Sequence, residues 1–77
     1  MNYRIATTSG HAIESKRGTN KNELAKAVRR AGFVVAKAWD DGCIPFYRSI
    51  GDARRDANDG SHAFGLIRPV MAHYGES

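Results

Sequence analysis

Phe33-Val34-Val35-Ala36-Lys37-Ala38-Trp39-Asp40-Asp41-Gly42-Cys43-Ile44-Pro45-Phe46-Tyr47-Arg48 decides how this chain folds. Phe33 to Trp39 is apolar and partly β-branched, and it is too short for a further helix after the glycine at position 32. Asp41-Gly42 is the dipeptide favoured by a two-residue hairpin turn with both central residues at positive φ. Cys43 to Arg48 then returns as a strand, with Pro45 confined to its start or to an outward-facing position because proline donates no ladder hydrogen bond. Strand alternation places Phe33, Val35, Lys37 and Trp39 on one face, and Val34, Ala36 and Ala38 on the other.

Upstream, Tyr3-Arg4-Ile5-Ala6-Thr7 alternates and reads as a strand, and Ser9-Gly10 marks a turn. Residues 11–17 fit either a second strand closing a hairpin or a loop. The spacing from position 20 predicts a helix. Thr19 or Asn20 caps it, and Glu23 sits in the first turn at capping-box distance from Asn20. Leu24, Ala27, Val28 and Ala31 form one apolar stripe, with Lys26, Arg29 and Arg30 outside it, and Gly32 is the stop.

Downstream, Ser49 caps a second helix with Asp52 in its first turn and a narrow stripe of Ile50, Ala53 and Ala57. Asn58-Asp59-Gly60 ends this helix, and Arg55 and Asp59 are spaced to pair. Ala63 to Met71 is a final strand with Phe64, Leu66 and Val70 on one side. Pro69 predicts an edge position for it. The order β-α-β-β-α-β is that of a ferredoxin-like α+β sandwich, two helices on one face of a mainly antiparallel sheet, with an extra N-terminal hairpin strand if residues 11–17 pair. All 77 residues form one domain, with positions 73–77 frayed.

Composition narrows the function. The net charge of +4 is uneven: residues 1–38 hold eight basic and two acidic side chains, residues 39–77 four basic and six acidic. A first half at +6 attracts polyanions or acidic protein surfaces. One cysteine allows no internal disulfide, which points to a reducing, cytoplasmic setting. No apolar run approaches a membrane span, and no leader pattern follows Met1. Cys43, His11, His62 and His73 are scattered, without metal-ligand spacing, so no cofactor is expected. With neither a phosphate loop nor an ordered nucleophile–base pair, the chain reads as non-enzymatic.

Two binding readings follow. Lys37, Trp39, Phe46, Tyr47 and Arg48 interleave cations with aromatics, as in surfaces that stack bases, which makes Trp39 and Tyr47 the stacking candidates. The simpler reading places Phe33, Trp39 and Phe46 in the core. Separately, Glu23-Leu24-Ala25-Lys26-Ala27-Val28 with Trp39, Gly42 and Ile44-Pro45 resembles the helix-turn-helix of phage repressors, although Phe33-Val34-Val35 offers little polar readout. In size and element order the whole chain resembles small accessory proteins of phages and mobile elements, among them the anti-CRISPR inhibitors. That resemblance implies a stoichiometric inhibitor, monomeric or homodimeric, docking on a host protein or nucleoprotein complex, with direct nucleic-acid contact as the alternative. It assigns no residue roles. The charge layout supplies them: Lys16, Arg17, Lys26, Arg29, Arg30 and Lys37 are the expected partner-binding set.

Overall fold

A computed structural model describes residues 2–56 and 60–70. Strand β1 (Asn2–Thr7) is followed by a 3₁₀ turn (Ala12–Ser15) and the two-residue strand β2 (Arg17–Gly18). Helix α1 (Lys21–Arg30), strand β3 (Val34–Val35), strand β4 (Ile44–Tyr47), helix α2 (Ile50–Arg55) and strand β5 (Gly65–Val70) complete the order. The five strands form one antiparallel sheet in the order β2-β1-β5-β4-β3. The chain is therefore a small α+β domain.

The stretch 33–48 does reverse direction, but through a three-residue loop rather than the expected two-residue one. The Trp39 N–H donates to the Cys43 carbonyl at 2.8 Å, and the Gly42 N–H donates back to the Trp39 carbonyl at 2.9 Å. A first turn closed by a left-handed residue is the three-residue hairpin geometry, and Gly42 supplies that residue at φ +89°. The Asp41 carboxylate secures the corner by accepting the Cys43 N–H at 2.9 Å. Pro45 sits where β3 has ended, and its carbonyl takes the Ala36 N–H at 3.0 Å. Because Val34 and Val35 pair with Tyr47 and Phe46, the helix-turn-helix alternative is excluded.

Helix α1 forms as its sequence dictates, between an Asn20 cap and Gly32 at φ +98°. The Asn20 side chain accepts the Asn22 N–H at 2.9 Å, while Glu23 pairs with Lys26 at 3.6 Å. The buried stripe is Leu24, Ala25 and Val28; Ala27 is only half-buried and Ala31 is exposed. The helix is thus rotated toward Ala25 relative to the expected stripe. The core joins these residues to Ile5, Ile13, Ile44, Phe46 and Ile67, with Tyr3, Phe33, Val35 and Phe64 packed around them. Phe33 stacks on Phe64 at 4.9 Å between centroids and meets Phe46 edge-on at 5.1 Å.

The C-terminal half departs from two expectations and adds a direction to a third. First, β5 is central: it lies between β1 and β4, with Thr7 and Phe46 both opposite Gly65. Pro69 is tolerated because β4 pairs only with residues 65–67, so beyond Ile67 strand β5 has β1 alone as partner. Second, the sequence left open which side of β5 faces inward, and the structure puts Ile67, fully buried, on that side, opposite Leu66 and Val70; Val70 is 37% exposed. Third, α2 is short and contributes no buried residue, with Ile50 58% exposed. A second helix covering the sheet is therefore absent among the described residues, and α1 with Ile13 of the 3₁₀ turn does that work. Arg55 pairs with Asp52 at 3.1 Å. Ala57, Asn58, Asp59, Met71 and the tail 73–77 lie outside the described residues.

The undecided segment 11–17 is neither the hairpin strand nor a plain loop, since residues 12–15 form a 3₁₀ turn and the pairing begins only at Arg17. Its first part is the 3₁₀ turn, capped by His11, whose Nδ1 accepts the Ile13 N–H at 3.0 Å. Its end is β2, where Arg17 and Gly18 pair with Arg4 and Tyr3. Glu14 ties the turn to β1 by accepting both the hydroxyl of Thr7 and its N–H, the latter at 2.6 Å. The Thr7 hydroxyl is the main cause, and its backbone N–H the next, holding the Glu14 carboxyl below its ordinary value of 4.5. A depressed carboxyl stabilises the fold above its unfolded value and ceases to do so as pH falls through the folded one. Glu14→Gln should therefore lower the melting temperature at neutral pH. The gap to the parent should close in acid below pH 4.5, as thermal melts at stepped pH will show.

Candidate functional site

The cations that the sequence singles out do not form one patch. α1 and the β3 edge bound an open cleft of about 540 Å³, lined by Lys21, Asn22, Ala25, Lys26, Arg29, Val35, Ala36, Ala38 and Ile44. Among the described residues its charged side chains are all basic. Lys21, Ala25 and Arg29 follow one another at i, i+4 and i+8, and Asn22 and Lys26 repeat the step one residue on, so a single flank of the helix supplies them. The floor is apolar because Ala25 and Ile44 belong to the core and Val35 packs against it. Lys26 also meets Glu23, but both side chains are more than 60% exposed, so that pair contributes little and leaves the ammonium available.

The remaining expected residues lie elsewhere. Lys37 is exposed on the adjoining surface, a cleft of about 550 Å³ that also holds Trp39 and the carboxylates of Asp40 and Asp41. Arg17 shares a third cleft, of about 350 Å³, with Arg4 across the β1–β2 ladder. Lys16 and Arg30 are exposed and line none of the three. Lys21 and Asn22, absent from the expected set, were legible from their spacing to Arg29 and Lys26; what hid them was the expected apolar stripe, which omitted Ala25.

The stacking candidates also separate. Tyr47 is only 2% exposed and donates its hydroxyl to Asp56 at 2.6 Å, so it is a packed side chain and presents no stacking face. Trp39 is half-buried, its ring set against the backbone of Gly60: a Cβ placed there would lie 3.0 Å from the indole. Phe33 and Phe46 belong to the aromatic core, as the simpler reading expects. Arg48 is held 5.2 Å above the Phe64 ring, an arrangement in which the ring's negative face attracts the guanidinium.

Cys43 is buried, and its thiol is pushed up first by burial and then by its hydrogen bond to Asp41, which keeps it in the weakly nucleophilic protonated form. Among the described residues, no three His, Cys, Asp or Glu side chains come together as a metal site. No described helix is long and apolar enough to cross a membrane. No protein-family model, curated protein or solved structure matches the chain.

Proposed function

We propose that this chain is a non-enzymatic binding protein of the inhibitor kind, docking on the acidic surface of a protein or nucleoprotein partner through the α1 cleft. One observation carries the reading. The cleft sets Lys21, Lys26 and Arg29 around an apolar floor, with no carboxylate among the described residues that line it. Such a surface draws an acidic partner in over the Debye length and then gains by covering apolar area. The ferredoxin-like plan is not needed for this: α1, the β3 edge and Ile44 of β4 build the cleft.

The test is a calorimetric titration with poly-L-glutamate beside a gel-shift series with random single- and double-stranded oligonucleotides, each at about 50 and 200 mM salt. Poly-L-glutamate should bind, and free oligonucleotides should stay unshifted at the higher salt. Lys26→Glu with Arg29→Glu should weaken poly-L-glutamate at least about tenfold, because each reversal replaces an attraction by a repulsion. Both side chains are exposed, so the circular dichroism spectrum should not change. A strong oligonucleotide shift that falls steeply with salt would transfer the cleft to a nucleic-acid-binding regulator.

A further inference from the structure

We infer that the partner enters the cleft as an extended acidic segment that adds a sixth strand to the free edge of β3. This names the partner class for the docking face proposed above and rests on that reading. Among the described residues β3 is the last strand of the sheet, and no strand pairs with its outer edge. The Ala36 N–H is used toward β4, on the Pro45 carbonyl. Antiparallel alternation then turns the N–H and C=O of Val35 to the opposite side, the open edge. Val35 and Ala36 are also walls of the cleft whose far side is Lys21, Lys26 and Arg29. Backbone groups that need a strand partner and side chains that need carboxylates therefore face the same space.

The geometry selects the occupant. A strand laid against Val35 would turn every second side chain toward α1, so acidic residues at alternate positions meet the cations while the backbone completes the ladder. A second copy of this chain pairing edge to edge would bring a second Lys21, Lys26 and Arg29 into the same space, where like charges repel. A nucleic-acid strand satisfies the cations but has no alternating amide and carbonyl to offer Val35. The edge is short and flanked by charge, as edges guarded against indiscriminate pairing are.

The experiment uses the full chain and a ten-residue peptide alternating Glu and Thr. Two further versions of the peptide are N-methylated at every second residue, one in each register. The parent peptide should bind, and amide exchange followed by NMR should slow at Val35 by about tenfold or more on binding. Methylation in one register removes the donors facing β3 and should weaken binding by at least about tenfold, while the other register should leave it nearly unchanged. Equal binding by all three peptides, or a bound peptide that leaves Val35 exchange unaltered, overturns strand addition. If the peptide fails to bind while poly-L-glutamate succeeds, strand addition falls and the charged cleft stands. If neither binds, both fall. Mass that doubles with protein concentration, with Val35 protected in the absence of peptide, would show self-pairing and refute the acidic occupant.

Discussion

Phe46→Ala should leave this protein without a cooperative thermal transition at room temperature. Phe46 is fully buried and touches both other phenylalanines, Phe33 edge-on at 5.1 Å and Phe64 at 6.1 Å between centroids. It also belongs to the central strand pair β4–β5, opposite Gly65. Truncating a buried phenylalanine costs about 3–5 kcal/mol, the sum of lost transfer energy and the cavity left behind. A single core in a chain of this size supplies about 3–5 kcal/mol in all, so the loss consumes the whole margin. Near-ultraviolet circular dichroism should flatten, and the amide NMR spectrum should collapse toward random-coil positions. Phe46→Leu, which keeps most of the volume, should still melt cooperatively at a lower temperature. A Phe46→Ala variant melting within a few degrees of the parent would show that the aromatic cluster is not the centre of the core.

Gly65→Ala is the second large effect, and its cause is different. A Cβ at position 65 would lie 2.5 Å from the Ala6 carbonyl oxygen, 2.6 Å from Cζ of Phe46 and 3.0 Å from Cγ2 of Thr7. Real Cβ atoms do not approach a carbonyl oxygen so closely, so either β1 must move away from β5 or Phe46 must leave its place. Overpacking of this kind costs about 1–3 kcal/mol, and here backbone must shift along with a side chain, which sets the expectation at the upper end. Denaturant unfolding should show a lower midpoint with an unchanged slope. Pairing Gly65→Ala with Phe46→Leu separates the two obstacles. The shorter side chain relieves the ring contact but not the carbonyl, so the double variant should recover only part of the loss expected from adding the single effects. Full recovery would place the whole penalty on the ring; no recovery would place it on β1.

Gly65 also shows why the strand order was not legible. As a sequence position it is one glycine in an apolar run, and nothing local marks it as the place where three strands meet. Its missing side chain is what lets β1 and Phe46 close on β5 from either side. Pro69 misleads for a related reason. The rule against proline in a central strand holds residue by residue, and β5 is central only as far as Ile67. α2 misleads too: Ser49 caps it as read, accepting the Asp52 N–H at 3.1 Å, yet a good cap starts a helix without giving it a face to bury.

The candidate site divides along the same line. That Lys26 and Arg29 lie outside the apolar stripe of α1 follows from helical periodicity, and the basic first half follows from counting. Their alignment with Lys21 along a free strand edge depends on the helix rotating to bury Ala25 and on β3 ending the sheet. Neither is a local event. The removal of Tyr47 from the stacking set is equally non-local, since its hydroxyl partner Asp56 lies at the far end of α2.

From its residues alone this chain determines an α+β domain, a capped first helix, an extended middle third that turns back at Gly42, and a positive first half. Those properties depend on caps, turn chemistry, periodicity and charge, which act over a few residues or are summed without regard to position. Only the tertiary structure decides that β5 sits between β1 and β4, that one helix rather than two covers the core, and that three cations share a cleft with an open strand edge. Each of these compares the packing of segments tens of residues apart, and such a comparison is settled by the shape of the filled core.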